Sequence, residues 1–139
     1  MVVKQLGNVF ILGDRYSTFE GYIPEEFSSY YPVKDGNDTS VKDVNHTWWY
    51  QLINDHGAKL LQNCSYSGST ICNTGYSGED FSDISFVGRI EKLIKMNYFK
   101  ENNVNTFFLF GGTNDSWADS PIGELKYENW TKKDLFFVL

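Results

Sequence analysis

The sequence predicts an α/β fold in which helices cover a parallel sheet. Three short apolar runs, residues 9–13, 59–65 and 106–111, have the length and composition of buried strands. Helix-like segments separate these runs, and strand alternating with helix along a chain is typical of a parallel sheet. A third observation is that each run ends abruptly in glycine or polar residues, as strands do when they deliver side chains to one edge of a sheet.

The elements between the strands follow from apolar spacing and from helix end signals. Apolar residues recur at helical spacing over about residues 44–56 and again over about 80–98. Residues 113–129 contain proline and glycine, and we expect a loop there. A last helix is predicted over residues 131–139, with a threonine as its N-cap.

Composition limits the class of protein and its partners. A chain of 139 residues with 41% hydrophobic and 17% aromatic residues can bury a core, and we expect one domain over residues 1–139. The net charge of −6 argues against nucleic acids and anionic membranes as partners. No apolar run approaches the roughly 18–20 residues of a membrane span. A small molecule is the expected partner, and we expect no cofactor and no metal.

The first residues and the two cysteines bear on cellular location. The segment 1–4 leads almost directly into a strand, so we expect no signal peptide and a cytoplasmic protein by default. Cys64 and Cys72 form a disulfide only if the segment between them turns back on itself; otherwise they are two thiols in a reducing compartment.

The residues that follow the three strands form distinct blocks. Gly13-Asp14-Arg15 follows the first strand, the segment 63–70 with Gly68 closes the second, and Gly112-Thr113-Asn114-Asp115 follows the third. The carboxyl ends of parallel strands lie at one edge of a sheet, so we expect Arg15, Gly68 and Asn114 to converge there.

In this order the blocks resemble the first three signature blocks of the SGNH (GDSL-type) esterase family. The strings 16–24 and 111–119 are also similar to one subgroup of these esterases. The resemblance implies a three-layer α/β/α, flavodoxin-like sheet, truncated here to about three strands. It also implies ester hydrolysis, with a serine nucleophile in block one, oxyanion donors in blocks two and three, and a base from a C-terminal Asp-x-x-His.

Carried over position by position, the resemblance gives each block residue a role. Gly68 would offer its backbone N–H, Asn114 would offer its side-chain amide, and Asp14 would brace the turn. Arg15 stands where the family has serine. A guanidinium is not a nucleophile and stays protonated, so the replacement predicts impaired covalent catalysis.

Other residues are of types that act in catalysis but do not lie at the expected positions in the sequence. Asp43 and His46 match Asp-x-x-His, yet they lie between blocks one and two, where a helix N-cap and a solvated histidine are the simpler interpretation. His56 is expected at a helix end. Ser17 lies two residues after Arg15 and is interpreted as a turn hydroxyl. The aromatic residues are interpreted as core or helix packing, with Trp117 as a possible pocket wall; they are Trp48, Trp49, Tyr50, Trp117 and Trp130.

These observations favour a GDSL-type ester hydrolase scaffold whose catalysis is impaired, because Arg15 stands at the serine position and the sequence shows no C-terminal Asp-x-x-His. One alternative is a module that binds an anion or a carbohydrate ester through the altered pocket. Another is one part of a composite assembly, including a homo-oligomer formed through the exposed edge of the third strand or the tail 135–139. The last alternative is an active enzyme in which Ser17 and His46 have taken over the lost roles.

Overall fold

The computed structural model describes residues 5–36 and 39–122. They form two compact units: residues 5–36 and 39–67 with Phe99–Phe110, and Gly68–Tyr98 with residues 111–122. The predicted helix and tail in residues 131–139 lie outside the described residues, and the single domain stays a prediction.

The first unit contains a parallel sheet of three strands, as predicted. The strands are β1 (Asn8–Gly13), β2 (Lys59–Asn63) and β3 (Thr106–Phe110), in the order β2-β1-β3. The residues of β1 are fully buried from Val9 onward, and β1 lies between the other two strands. The buried apolar run that predicted a strand is therefore the centre of the sheet.

Helices in the described residues are more numerous and shorter than predicted. They are α1 (Trp48–Asp55), α2 (Phe86–Lys95), α3 (Tyr98–Glu101) and α4 (Thr113–Trp117). A 3₁₀ turn, Val44–His46, precedes α1, and the Asp43 carboxylate accepts a hydrogen bond from the Asn45 backbone N–H at 3.0 Å. Asp43 therefore caps this 3₁₀ turn and not the α-helix, which begins four residues later than predicted with Thr47 at its N-cap position.

Within the first unit, α1 and the residues of α3 from Phe99 onward lie on opposite faces of the sheet. On one face Trp49 and Ile53 of α1 pack against Val9 and Ile11. Side chains alternate along a strand, so Phe10 points to the other face. There its ring contacts Phe99 of α3, with centroids 5.4 Å apart. This is the predicted three-layer α/β/α arrangement.

The second unit corrects two predicted boundaries. The helix expected over residues 80–98 begins only at Phe86, because the Ser85 hydroxyl caps it by accepting a hydrogen bond from the Gly88 N–H at 2.9 Å. The loop expected over residues 113–129 begins instead with α4. Both cysteines are buried thiols. No helix within residues 5–36 and 39–122 is long and apolar enough to cross a membrane.

Candidate functional site

The first block forms a tight turn at the end of β1. Gly13 is required there, because a Cβ at this position would lie about 2.5 Å from the Ser17 Cβ and 2.6 Å from the Ser65 hydroxyl oxygen. The Asp14 side chain is fully buried and accepts a hydrogen bond from the Tyr16 backbone N–H at 3.3 Å. It caps the 3₁₀ turn Arg15–Ser17, and this contact braces the turn.

Arg15 projects from this turn with its charge accessible. Its residue is exposed, and its guanidinium carbon lies 4.8 Å from the centroid of the Tyr30 ring. Thr18 links the turn that contains Arg15 to the segment that contains Tyr30. Its hydroxyl donates to the Arg15 carbonyl at 2.8 Å and accepts from the Tyr30 N–H at 2.9 Å. The guanidinium makes no hydrogen bond or ion pair with any residue that the structure describes. Its donors are free to take a ligand.

Ser17 is a buried structural hydroxyl. Its exposure is 0%, and its Oγ accepts a hydrogen bond from the Trp48 indole N–H at 3.1 Å. The Ser17 carbonyl accepts from the Asn63 side-chain amide at 2.8 Å, and Asn63 in turn accepts from the Ser65 hydroxyl at 2.5 Å. This network ties the end of β2 to the turn after β1, which accounts for the polar residues at both strand ends.

The two histidines occupy local positions. His46 is exposed at the end of the 3₁₀ turn before α1, and its Nδ1 lies 3.3 Å from the Lys42 backbone nitrogen. His56 follows α1, where its Nδ1 lies 3.0 Å from the Leu52 carbonyl. Both contacts are with backbone atoms only a few residues away, as the sequence interpretation expects.

The second and third blocks are joined within the second unit. Asn114 is 3% exposed, and its Nδ2 donates to the Ser69 carbonyl at 2.9 Å. The next residue, Asp115, accepts from the Ile71 backbone N–H at 2.9 Å. The structure thus holds the start of α4 against the loop that contains Gly68, and two of the predicted site residues belong to one hydrogen-bonded unit.

The other side of this loop is fixed by a buried arginine. Arg89 of α2 is 2% exposed and donates from Nη2 to the Ser69 hydroxyl at 2.9 Å. Its Nε donates to the Ile84 carbonyl at 2.9 Å, and its guanidinium packs on the Phe86 ring at 4.8 Å. Ser69 is therefore held through both its carbonyl and its hydroxyl.

Two donors in this region have no partner among the residues that the structure describes. The Gly68 backbone N–H donates no hydrogen bond to them, and Asn114 uses only one of its two amide hydrogens. Gly68 has φ +87°, a left-handed conformation that glycine adopts without strain, and no atom lies within 4 Å of the place where a Cβ would stand. Gly68 is only partly buried, so these two donors can pair with water or with a bound ligand.

A cleft of about 700 Å³ lies in the first unit. Tyr30, on whose ring the Arg15 guanidinium stacks, lines this cleft together with Tyr31 and Phe27. Glu20 and Lys34 stand at its wall in an ion pair of 2.8 Å. Burial raises the pKa of the Tyr31 hydroxyl above its ordinary value.

Several of these contacts had no signal in the sequence. Tyr30, Tyr76 and Arg89 lie outside every block, and only the folded chain shows which side chains they approach. Trp49 is buried as expected, but Trp117 is 76% exposed and is not a core residue. Trp130 lies outside the described residues. Asp14 and Arg15 belong to the first unit and Gly68 and Asn114 to the second, and the convergence of Arg15 with the other two stays a prediction.

A parallel α/β sheet whose strands end in these blocks defines a hydrolase scaffold of the GDSL type. The family model of GDSL-like lipases and acylhydrolases matches residues 7–139. The chain belongs to this family, as its resemblance to the SGNH esterases predicted.

Solved structures agree with this assignment. A chain from Bacteroides ovatus ATCC 8483, assigned as a GDSL-like lipase, superposes with a TM-score of 0.79 at 47% identity, over 95% of this chain. Another from Bacteroides uniformis ATCC 8492, with the same assignment, gives 0.75 at 46% identity over 93%. The present chain spans 60% and 58% of the lengths of these two proteins. No curated protein matches it.

Proposed function

We propose that this chain carries the oxyanion-binding part of a GDSL-type ester hydrolase and that Arg15 impairs its chemistry. In this proposal the Gly68 backbone N–H and the Asn114 amide bind the oxygen of the ester carbonyl as it becomes negative. Asp14 braces the turn that presents residue 15. Arg15 occupies the position of the nucleophile, where it cannot attack a carbonyl.

The unused hydrogen of the Asn114 amide is the observation that carries this proposal. The group is almost fully buried, and its other hydrogen and its oxygen are both engaged. A fixed donor with a free N–H is suited to a charge that develops only during reaction, because it needs no reorganisation when that charge appears. The free N–H of Gly68, one residue before the Ser69 carbonyl that Asn114 binds, supports the same role.

Adding a serine at position 15 and an Asp-x-x-His segment tests the proposal. The assay is hydrolysis of p-nitrophenyl acetate by three proteins: the chain as it is, Arg15→Ser, and Arg15→Ser in a chain extended by an Asp-x-x-His segment, called the extended chain below. We expect little activity from the first two, since a serine without a base is a poor nucleophile. The extended chain should be faster by several orders of magnitude, as expected when a catalytic triad is completed.

An equal rate for Arg15→Ser and the extended chain would contradict this account. A histidine already present would then be the base, and loss of activity in His46→Ala would identify that base as His46. Activity of the unaltered chain that is lost in Ser17→Ala would favour the alternative in which Ser17 and His46 act. The burial of Ser17 under Trp48 makes that result unexpected.

A second candidate function is the binding of a small anion by Arg15. It is supported by the exposed guanidinium, which makes no hydrogen bond with the described residues and is held over Tyr30. An arginine fixed by an aromatic ring can offer two parallel N–H groups to a carboxylate. Tyr30 also lines the 700 Å³ cleft, which would accommodate the body of such a ligand.

Calorimetric titration with benzoate tests this second function. Binding to the unaltered chain that is lost in Arg15→Gln and weakened in Arg15→Lys would support it, because lysine keeps the charge but not the planar donor pair. Equal binding of benzoate by all three proteins would exclude Arg15 as the residue that binds the anion.

A further inference from the structure

The orientation of the Asn114 amide is determined from both of its ends. On one side its nitrogen donates to the Ser69 carbonyl at 2.9 Å, and on the other its oxygen accepts from the Tyr76 hydroxyl at 2.9 Å. A carbonyl can only accept, so the nitrogen must face Ser69. The oxygen then faces Tyr76, whose hydroxyl must be the donor in this contact.

The segment that carries Tyr76 is itself closed by hydrogen bonds. Thr74 forms an antiparallel bridge with Asp80, and the Gly75 N–H donates to the Glu79 carbonyl at 2.8 Å. The Phe81 ring packs so closely on Gly75 that it fills the place of a Cβ, and it meets the Tyr76 ring edge-on at 6.0 Å. The phenol is therefore held at a fixed position rather than hanging from a loose loop.

We infer that Tyr76 is a positioning residue for the oxyanion donor Asn114, and this inference rests on the function proposed above. Its hydroxyl holds the amide so that the second hydrogen of Nδ2 is presented to the ligand. By donating to Oδ1 it also polarises the amide, which makes that hydrogen a stronger donor to a negative oxygen. Without the hydroxyl, only the Ser69 contact would restrain the amide.

The first test uses the chain as it is, labelled with ¹⁵N. The side-chain amide signals of Asn114, identified by their loss in Asn114→Ala, should move in Tyr76→Phe and exchange their hydrogens faster. Tyr22→Phe is the matched control, because Tyr22 is half exposed and its hydroxyl makes no hydrogen bond with the residues described. Unchanged Asn114 signals in a folded Tyr76→Phe would overturn the inference.

A second variant covers the case in which Tyr76→Phe does not fold. Replacement of Tyr76 by 3-fluorotyrosine keeps the ring and the hydroxyl but makes the phenol a stronger donor. The Asn114 amide signals should then shift in the direction expected for a stronger hydrogen bond to Oδ1. Signals identical to those of the unaltered chain would again overturn the inference.

The second test separates this inference from the proposed function. In the extended chain, Tyr76→Phe should lower kcat about tenfold with little change in KM, less than the 10²–10³ that loss of an oxyanion donor typically costs. A change in KM alone, or no change in kcat, would contradict a positioning role. An inactive extended chain with shifted Asn114 signals would count against the proposed function and leave the positioning of Asn114 supported.

Discussion

Asn114 and Asp115 are adjacent buried residues with different tasks, and their surroundings explain the difference. Asn114 keeps one hydrogen without a partner among the described residues, whereas Asp115 uses both oxygens on the backbone of residues 71 and 72. The pattern Gly-Thr-Asn-Asp predicted polar residues at a strand end. It could not show which of the two side chains keeps an unused hydrogen, because that depends on which groups the loop after Gly68 brings into contact.

The pH dependence of stability should report on Asp115. Burial raises its pKa above the ordinary aspartate value, in spite of the backbone hydrogen bonds from Ile71 and Cys72 that lower it. Between the unfolded and the folded pKa the folded state holds more protons, so the free energy of unfolding falls as the pH rises. The favourable contribution of Asp115 is complete below the unfolded pKa and is lost above the folded one.

Urea unfolding of the unaltered chain and of Asp115→Asn at several pH values measures this effect. We expect the stability of the unaltered chain relative to Asp115→Asn to decline as the pH rises from about 4, the ordinary aspartate value, and then to level off. A difference between the two proteins that grows with rising pH would mean that the carboxylate is stabilised in its charged form.

At the scale of elements, the strands were predictable and the helix boundaries were not. Each strand lies within two residues of its predicted bounds, because a short apolar run between polar or glycine residues in an α/β chain is typical of a buried strand. The helix predicted over residues 80–98 included the turns before α2 and the residues between α2 and the start of α3. Apolar residues continue through all of these segments, and only the hydrogen bond from the Gly88 N–H to Ser85 shows where α2 begins.

Removal of this cap should destabilise the second unit. The Ser85 hydroxyl accepts from the Gly88 N–H at 2.9 Å and donates to Asn73 Oδ1 at 2.5 Å, so Ser85→Ala removes a hydrogen-bond partner from each of these two partly buried groups. We expect the free energy of unfolding to fall by about 1–2 kcal/mol. Ser116→Ala, at an exposed site in α4, is the control and should change stability by less than about 0.5 kcal/mol. Equal effects of the two substitutions in urea unfolding would show that the cap contributes nothing.

At the scale of the whole molecule, the edge of the sheet is the feature with the clearest consequence. Among the described strands β3 pairs only with β1, and three of its side chains are partly exposed: Phe107 at 41%, Leu109 at 58% and Phe110 at 50%. Exposed apolar edge strands favour pairing with another chain. Self-association through this edge was predicted from the sequence and stays a prediction.

Analytical ultracentrifugation tests that prediction. We expect the unaltered chain to sediment as a species larger than a monomer and Leu109→Lys to sediment as a monomer, since a lysine on an edge strand opposes pairing. Ile94→Lys is the matched control, because Ile94 is equally exposed, at 59%, but lies on α2. A monomeric unaltered chain at high concentration would contradict the prediction.

The family and the fold could be recognised from the sequence because three blocks in order at strand ends constrain both. The details of the site could not, since the roles of Tyr76, Ser69 and Arg89 depend on contacts between segments that the sequence separates. Arg15 is the reverse case. The resemblance to the family predicts from the sequence that Arg15 stands at the serine position, while its stacking on Tyr30 is visible only in the structure.

The central claim is that Asn114 supplies a hydrogen bond to the developing oxyanion, and kinetics of the extended chain test it most directly. Asn114→Ala should lower kcat for p-nitrophenyl acetate by about 10²–10³ with KM nearly unchanged, as expected for a donor that acts mainly in the transition state. Ser116→Ala, two residues further along α4 and exposed, should leave both constants unchanged. A kcat for Asn114→Ala equal to that of the Ser116→Ala control would contradict the claim.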